Sequence, residues 1–276
     1  MSERLIDLHL HTTFSDGCGS PEEAVKRARF KRLAAISITD HDTFGALDPA
    51  LALADDDLEI ISGVELSCQY ENTDFHVLAY FIDYKYAPIA DKVKFYQEER
   101  LKRGRLIVAK LNEMGIDLQV DTVMRLAAKG AVGRPHVADA LVQEEFVHTV
   151  DEAFSRYLGY HAPAYVPKTY FDPAVAIKLV HEAGGLAVLA HPGTVRRDEV
   201  IGRFKEFGLD GIEVYHAKHT PAVVRHYKRL AEKYDLLISG GSDWHGRNDP
   251  RSEIGSQKVP YSVLQKMKEY LAGRHD

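Results

Sequence analysis

The chain begins with a short segment in which apolar side chains occupy every second position. Between Leu5 and His11 the apolar residues share one face, and His9 lies with His11 on the opposite, polar face. This alternation predicts a β-strand whose two imidazoles point in the same direction.

Similar apolar runs recur along the chain and alternate with helix-like segments. Ser20, followed by Pro21 and two glutamates, has the N-cap, proline and acidic first turn that begin a helix, which we expect to run to about Arg32. Strand-like runs lie at residues 33–42, 58–67, 75–83, 186–192, 211–216 and 236–246. The alternation predicts an α/β protein with a parallel sheet or barrel.

Residues 92–170 depart from this pattern. They are rich in helix formers and contain no convincing strand, so we predict a helical insertion at 92–170 in a barrel formed by residues 1–91 and 171–276. Basic residues interleaved with apolar ones in this segment indicate a solvated helix face, with an RNA-guiding role as the weaker alternative: Arg100, Lys102, Arg103, Arg105 and Lys110.

The composition is that of a globular enzyme. The chain has 276 residues, of which 45% are hydrophobic and 28% charged, enough for a substantial core. A formal net charge of -6 disfavours a protein that coats double-stranded DNA through positive potential. It does not exclude a nucleotide substrate, because bound cations would reverse the sign of the field at their site.

Targeting signals are not apparent. No apolar run approaches the roughly 18 residues of a membrane span, and the first residues lack the apolar core of a signal peptide. We therefore expect no membrane partner and take the cytoplasm as the default compartment. Cys18 and Cys68 are expected to be reduced thiols. The oligomeric state does not follow from the sequence.

Histidine is the unusual part of the composition. Many of the 14 histidines lie in short apolar segments beside aspartate or glutamate. Because the strand ends of an α/β sheet converge on one crevice, we expect a cluster of metal-binding side chains there. The candidates are His9, His11, Asp16, Asp40, His41, Glu65, His76, His191, Asp243 and His245.

Any one of these residues is more often an ordinary core or surface residue than a ligand. Collectively, burial of so many ionisable groups without partners would be very costly, whereas divalent cations would satisfy them together. They exceed the needs of a single ion, so we expect two or three metal ions. Imidazole and carboxylate ligands without thiolate suit Zn, Mn or Fe.

Six short motifs carry a family resemblance. They are Asp7-Leu8-His9-Leu10-His11, Ser15-Asp16-Gly17, Thr39-Asp40-His41-Asp42, Gly63-Val64-Glu65, His191-Pro192 and Gly241-Ser242-Asp243-Trp244-His245. In this order they resemble the polymerase and histidinol phosphatase (PHP) family of metal-dependent phosphoesterases. The resemblance implies a distorted (β/α)7 barrel with three divalent metal ions.

The resemblance also implies how the ligands are shared. One ion would be held by His9, His11, Glu65 and Asp243, a second by Glu65, His76 and His191, and a third by Asp16, His41 and His245. Asp40 would orient a ligand without touching a metal ion. Asp243 and His191 would act in catalysis.

Within the family, the chain most resembles 3',5'-nucleoside bisphosphate phosphatases and 5'-3' exoribonucleases that act on short 5'-phosphorylated RNA. That branch has a helical insertion containing the run Gly133-Arg134-Pro135-His136. The resemblance implies that Arg134 and His136 bind substrate and that Lys168 adds a charge to the same phosphate. Without it, ordinary surface cations are an equally good interpretation.

His216, at the end of its own strand, is a candidate for protonating the leaving group or binding phosphate. A supporting or surface histidine is an equally good interpretation.

Other functions remain open at this stage. A histidinol-phosphate-type phosphomonoesterase of the same family is the nearest alternative. An amidohydrolase-type enzyme that cleaves C–N bonds also uses paired histidines on a strand, and a metal-stabilised binding module is the non-enzymatic alternative. The number of metal ions and the presence of a phosphate clamp distinguish these alternatives.

Overall fold

The computed structural model describes residues 4–127, 130–247 and 249–274. Within these residues, eight strands form one sheet in the order β7-β6-β5-β4-β3-β2-β1-β8. The strands are β1 (Leu5–Leu10), β2 (Ala35–Ile38), β3 (Glu59–Tyr70), β4 (Thr73–Tyr80), β5 (Leu186–Leu189), β6 (Gly211–Tyr215), β7 (Leu237–Gly240) and β8 (Val259–Pro260).

Helices cover the outside of this sheet. They are α1 (Pro21–Phe30), α2 (Leu47–Leu51), α3 (Ala87–Glu113), α4 (Val120–Leu126), α5 (Arg134–Gln143), α6 (Val150–Ala153), α7 (Pro173–Glu182), α8 (Pro192–Val195), α9 (Val200–Glu206), α10 (Pro221–Lys233) and α11 (Tyr261–Ala272). Among the described residues, five of these helices, α3 to α7, belong to the long segment of chain between β4 and β5. A π-helical turn, Phe154–Leu158, follows α6, and a 3-10 turn, Pro250–Ser252, precedes β8.

Local sequence signals set several helix starts. The Ser20 hydroxyl accepts a hydrogen bond from the backbone N–H of Glu23, as the sequence predicted for α1. Asp172 and Thr220 cap α7 and α10 in the same way. A proline follows each cap, where its missing N–H costs no helical hydrogen bond.

The sheet curves into a nearly closed barrel. The chain beyond β7 pairs with the end of β1: the backbone N–H of His11 donates to Trp244 O at 2.8 Å, and that of Asp243 donates to His9 O at 3.0 Å. This pairing brings the first and last predicted motifs together. The α/β barrel expected from the sequence is thereby confirmed.

Strand direction differs from the prediction at β4 and at the short β8, which pairs antiparallel with β1. β1, β2 and β3 are parallel to one another, as are β5, β6 and β7, but β4 runs antiparallel to both β3 and β5. The prediction of a parallel arrangement is therefore wrong for β4. The hairpin between β3 and β4 leaves no room for a crossover helix, so the chain must reverse there.

The reversal of β4 positions His76. His76 lies near the start of β4, opposite Ser67 in the second half of β3. In a parallel strand the start would lie at the far end of the barrel. In an antiparallel strand it lies at the end where the other predicted ligands are found.

The segment between β4 and β5 has an apolar core of its own. The first half of α3 contributes Ile89 and Val93 to the core of the barrel, whereas Ile107 and Leu111 pack with α5 and its neighbours. One continuous helix therefore belongs to both cores. We propose that residues 92–170 are the insertion inferred from the sequence, although α3 already begins at Ala87.

A buried ion pair joins this segment to the barrel. Arg100 Nε donates to Asp42 Oδ2 at 2.7 Å, and Arg100 and Asp42 are 7% and 1% exposed. Burial would raise the pKa of Asp42, but Arg100 and Lys168 hold it well below its usual value.

The basic residues of α3 do not share one environment. Arg103 is also buried and donates from Nε to Val166 O at 2.8 Å, whereas Lys102 and Arg105 are exposed. The predicted solvated face is therefore wrong for Arg100 and Arg103. Periodicity places a charge on a helix face but does not reveal what later segments pack against that face.

In the part of the chain that the structure describes, none of the helices has the length and apolar character that crossing a bilayer requires.

Replacement of Arg100 by methionine should lower the free energy of unfolding by about 3 kcal/mol. The buried carboxylate of Asp42 would then keep Lys168 but lose its closest cation. Chemical denaturation followed by circular dichroism measures this change. Arg105→Met, an exposed position on the same helix, is the matched control and should change stability by less than about 0.5 kcal/mol. Equal effects of the two substitutions would contradict this account of the ion pair.

Candidate metal centre

Glu65 lies at the centre of a cluster of histidines. Its Oε2 atom is 3.3 Å from His9 Nε2, 3.1 Å from His11 Nε2 and 3.1 Å from His41 Nδ1. Its Oε1 atom is 2.9 Å from both His76 Nδ1 and His191 Nε2. Glu65 is only 1% exposed, so one buried carboxylate faces imidazoles from five different positions of the chain.

Two aspartates extend the cluster. Asp243 Oδ1 lies 3.5 Å from His9 Nε2 and 3.3 Å from His11 Nε2. Asp16 Oδ1 lies 3.3 Å from His245 Nε2, and Asp16 Oδ2 lies 3.9 Å from His41 Nε2. The structure thus brings together all of the side chains that the sequence proposed as direct metal ligands, although they span positions 9 to 245.

The arrangement fits divalent cations. Among the side chains that the structure describes, Asp16 Oδ1, His41 Nδ1 and Glu65 Oε2 are buried polar atoms without a hydrogen-bond partner. The Nε2 atoms of His9 and His11 also face each other at 3.1 Å, although two neutral imidazoles can share only one proton there. Cations coordinated by these atoms would satisfy all of them.

Three overlapping groups have ligand atoms close enough to hold an ion. These groups are His11, Asp16, His41 and His245; His9, His11 and Asp243; and His41, Glu65 and His76. The groups follow the division implied by the family resemblance with three differences. The group of His9, His11 and Asp243 lacks Glu65, which the resemblance also assigned to it. His11 and His41 each fall in two groups, and His41 stands beside Glu65 and His76 where the resemblance implied His191. His191 nevertheless contacts Glu65 directly.

The electrostatics of the cluster favour cation binding. Burial alone would raise the pKa of Glu65, but the surrounding histidines, His41 and His76 foremost, hold it well below its usual value. Burial alone would lower the pKa of His11, but the neighbouring carboxylates of Asp243 and Glu65 raise it to about 10. Protons therefore occupy positions that a metal ion would take over, with release of protons on binding.

Backbone geometry aims two of the ligands. Asp243 has a φ of +54° and His191 a φ of +28°, both in the left-handed region that residues with a Cβ rarely adopt. Each residue directly follows a strand or its extension, where this conformation turns the side chain toward the axis of the barrel. Such backbone strain often accompanies functional sites.

Asp40 supports the cluster without touching it. It is buried and accepts hydrogen bonds from the Thr12 N–H at 2.7 Å, the Thr12 hydroxyl at 2.6 Å and the Ser15 hydroxyl. These contacts hold the loop that carries Asp16. The geometry favours the orienting role that the resemblance implied.

Glu213 performs a similar role, and the sequence analysis missed it. Its Oε1 atom accepts a hydrogen bond from His9 Nδ1 at 2.9 Å, and its Oε2 atom accepts one from the His191 backbone N–H at 2.7 Å. The first contact leaves His9 Nε2 free to bind a metal ion. The available signal was a carboxylate between Ile212 and Val214 in the middle of a short apolar strand.

His219 fixes the turn after His191. Its Nδ1 atom donates to Val214 O at 2.9 Å, and its Nε2 atom accepts from the Gly193 N–H at 3.1 Å. A Cβ at Gly193 would lie 2.7 Å from that ring, so the turn requires glycine. No role was predicted for His219, because nothing in the sequence relates it to His191.

His216 is buried, and both of its ring nitrogens have partners. Its Nδ1 atom accepts the Lys218 backbone N–H at 3.1 Å, so Nε2 carries the proton and donates to Asp243 Oδ2 at 3.2 Å. This contact orients Asp243. The geometry favours the supporting interpretation of His216 over proton donation to a leaving group.

The basic residues proposed to bind phosphate lie beside the cluster. Lys168 contacts the Ser67 hydroxyl and is 3.6 Å from Asp42 Oδ2. Burial, reinforced by the charge of Arg100, lowers the pKa of Lys168 to about 7. An incoming phosphate would favour the charged form of this lysine.

Arg134 and Arg103 continue this cationic group. Arg134 donates to Leu158 O at 3.2 Å, and its guanidinium carbon lies 5.2 Å from the centre of the Tyr160 ring. Burial, with Arg134 and Arg100 nearby, lowers the pKa of Arg103 to about 10. We call Arg100, Arg103, Arg134 and Lys168 the cation cluster. Mutual repulsion among these charges would be relieved by a bound anion.

His136 differs from the other predicted substrate-binding residues. It is 5% exposed, and its Nδ1 atom accepts the Gly133 N–H at 3.0 Å at the start of α5. The structure therefore does not place His136 on an open surface with Arg134. Its contact fixes the start of the helix that carries Arg134.

Comparison with known proteins identifies the family to which this chain is similar. The PHP domain model matches residues 7–162. The chain is 34% identical to the 5'-3' exoribonuclease Rnm of Escherichia coli (strain K12) over 249 residues, covering 87% of this chain and 85% of that protein. It is 32% identical to the 3',5'-nucleoside bisphosphate phosphatase of Chromobacterium violaceum over 257 residues, covering 91% and 90%.

A solved structure agrees over nearly the whole length. The chain superposes on a protein from Bifidobacterium adolescentis, described as a metal-dependent phosphoesterase, with a TM-score of 0.87 at 30% identity. The match covers 96% of this chain and 95% of that one. The helical segment and the barrel are therefore both part of the shared fold.

Glu213→Gln should weaken divalent metal binding by about 10- to 100-fold, because His9 loses the carboxylate that sets its tautomer and raises its basicity. Titration of Mn²⁺ into the metal-depleted protein, in competition with a chelating dye, measures this affinity. Glu232→Gln, an exposed glutamate on α10, is the control and should bind Mn²⁺ as the unmodified protein does. Unchanged affinity in Glu213→Gln would contradict its assigned role.

Proposed function

Because the chain belongs to the PHP domain family, we propose that it is a metal-dependent phosphoesterase acting on the 3'-phosphate ester of nucleoside 3',5'-bisphosphates, of short 5'-phosphorylated RNA, or of both. Its relatives named as an exoribonuclease and as a bisphosphate phosphatase both act on phosphoester bonds of nucleotides. The chain is accordingly a hydrolase of the phosphoester class, as the sequence predicted.

One observation supports the proposed substrate most directly: the cation cluster adjoins the metal-ligand cluster. Asp42, which binds Arg100 and Lys168, follows the ligand His41 in the chain. Ser67, which also binds Lys168, lies opposite the ligand His76 in the sheet. A molecule with two phosphate groups could place one on the metal ions and the other on the cation cluster.

Three divalent ions, of Mn, Fe or Zn, suit the number of ligands. The three overlapping groups of ligand atoms support this count. Imidazole and carboxylate ligands in similar numbers suit each of these metals. Such ions, when bound, would polarise the phosphoryl oxygens and lower the pKa of a coordinated water.

The side chains of this protein bind and orient the reactants. Arg134 and Lys168 hold the 5'-phosphate, which fixes the position of the 3'-phosphate over the ligand cluster. Asp243, oriented by His216, and His191, oriented by Glu213, form the walls of that site. In the overall reaction a water oxygen bonds to phosphorus while the bond from phosphorus to the ribose 3'-oxygen breaks and that oxygen gains a proton.

The cation cluster also bears on the alternative functions. A histidinol-phosphate-type phosphomonoesterase or a C–N hydrolase needs at most one phosphate site. Neither function accounts for four cations crowded beside the ligand cluster, with the pKa of Lys168 lowered to about 7 and that of Arg103 to about 10. A substrate with a second phosphate accounts for them.

The proposed activity is tested by offering the Mn-supplemented protein adenosine 3',5'-bisphosphate, a 5'-phosphorylated oligoribonucleotide and histidinol phosphate. We expect hydrolysis of one or both nucleotides, full loss of that activity with a chelator, and no comparable turnover of histidinol phosphate. Release of phosphate and of nucleoside 5'-monophosphate measures the reaction. Preferred turnover of histidinol phosphate would reject the proposal.

Asp243→Asn should lower kcat/KM by about 10³-fold or more, because the variant loses a charged ligand-type oxygen at the reacting phosphate. Asparagine tolerates the left-handed backbone, so the fold should be retained in circular dichroism spectra. Asp235→Asn is a matched control: Asp235 has a φ of +49°, against +54° for Asp243, but lies at the opposite end of the barrel. Substantial activity in Asp243→Asn would count against the assigned site.

Lys168→Met should raise KM for a nucleoside 3',5'-bisphosphate by about 10- to 100-fold, the value of one charged hydrogen bond. Hydrolysis of a nucleoside 3'-monophosphate, which has no 5'-phosphate, should change much less. Lys102→Met, an exposed lysine of α3, is the control. Equal losses on both compounds would show that Lys168 does not recognise the 5'-phosphate.

A further inference from the structure

A second cavity lies next to the metal-ligand cluster. It has a volume of about 330 Å³ and shares Asp16, Asp243 and His245 with the cluster. The cavity directly above the ligands also contains Asp243 and His245, and Lys218 borders both. The two cavities therefore adjoin at Lys218, Asp243 and His245. We call the second cavity the side groove.

The two walls of the side groove differ in chemistry. Pro135, Val150 and Phe154 of the helical segment form an apolar wall. Lys218, Arg247 and Arg251 form a basic wall, contributed by the loops after β6 and β7. A groove lined by both cations and an aromatic ring is suited to a single nucleic acid strand, whose phosphates need charge and whose bases need a flat apolar surface.

The cations of the side groove are only partly neutralised. Arg247 pairs with Asp139 at 2.9 Å, and Arg251 with the adjacent Asp249 at 3.1 Å. Arg251 is 76% exposed, so its pair with Asp249 is weak and can be exchanged for a phosphate. The remaining acids of the groove, Asp16 and Asp243, belong to the ligand cluster, where bound cations would neutralise them.

The side groove is distinct from the cation cluster. None of Arg100, Arg103, Arg134 and Lys168 lines it, although the Phe154 ring borders it and lies 5.7 Å from the guanidinium carbon of Arg134. Phe154 begins the π-helical turn Phe154–Leu158, a distortion that is frequent at functional sites. The ring thus borders the side groove and lies near one member of the cation cluster.

From this placement we infer that the side groove binds the part of an RNA strand that continues beyond the scissile phosphate. The inference rests on the proposed function. A nucleoside 3',5'-bisphosphate ends at its 3'-phosphate, so it would fill the cation cluster and the metal site and leave the side groove without a ligand. In RNA the same phosphorus is also bonded to the 5'-oxygen of the next nucleotide. The rest of the bound strand must therefore extend away from the metal site through an adjoining space.

The inference separates two substrates at one active site. Contacts in the side groove would add affinity for oligoribonucleotides alone, because only they extend past the reacting phosphate. The reacting phosphate is released as free phosphate when the substrate is a bisphosphate. In RNA the corresponding phosphate stays on the shortened strand as its new 5'-phosphate. That new 5'-phosphate is the group that the cation cluster would bind in the next cycle.

The experiment compares kcat/KM for a 5'-phosphorylated tetraribonucleotide and for adenosine 3',5'-bisphosphate over a series of KCl concentrations. Arg251→Ala should lower kcat/KM for the tetranucleotide by about tenfold. The slope of log(kcat/KM) against log [KCl] should become shallower by about 0.7, because one contact with a phosphate is lost. For the bisphosphate, both quantities should change much less.

A variant that adds positive charge tests the inference without removing an existing contact. Ser252 also lines the side groove, and Ser252→Lys should raise kcat/KM for the tetranucleotide and steepen its salt dependence. Arg203→Ala is the matched control, since Arg203 is an exposed arginine paired with a nearby acid, Glu206, on α9. Its removal should leave both substrates unaffected.

Equal losses on both substrates in Arg251→Ala, or no loss on either, would overturn the inference. Failure of the proposed function gives a different result, because the Mn-supplemented protein would then hydrolyse neither compound. In that case the fluorescence anisotropy of a labelled 5'-phosphorylated tetraribonucleotide, measured with the same three variants, tests the groove directly. Identical affinities across the variants would then overturn it.

Discussion

The interaction on which the site depends is the contact of one buried carboxylate with several imidazoles. Glu65 reaches His9, His11, His41, His76 and His191 within 3.3 Å, at a position that is only 1% exposed. A lone carboxylate could not be buried there without partners, and so many imidazoles could not crowd together without negative charge. The cluster is therefore either extensively protonated or filled with cations, and divalent ions satisfy its unpartnered atoms best.

Supporting contacts extend this constraint into the fold. Glu213 holds His9 and the backbone of His191, His216 holds Asp243, and Asp40 holds the loop of Asp16. Three of the candidate ligands, and the loop that carries a fourth, are thus held by other polar groups buried in the barrel. The ion pair between Arg100 and Asp42 attaches the helical segment to the barrel beside His41. It thereby determines where the cation cluster lies.

Much of the site could be predicted because its residues keep their short-range spacing. His9 and His11 are two apart on a strand and must share a face, and the Asp243 motif directly follows strand β7. Glu213 and His219 could not be found in the same way. Their roles depend on contacts with residues far away in the chain, and a single glutamate or histidine has no pattern of its own. His136 shows the opposite case, since a motif residue proved to be buried as a helix cap.

The sequence by itself determined the elements, the motifs and the chemical class of the site, because periodicity, capping and ligand type are local properties. Tertiary structure alone decided that His76 and the other distant histidines meet at Glu65, and that Arg100 and Arg103 are buried on a helix that looked solvated. It also decided that Phe154 both borders the side groove and lies near Arg134 of the cation cluster. Such features arise from packing between distant segments, and packing is set by how the chain closes into a barrel rather than by any one stretch of residues.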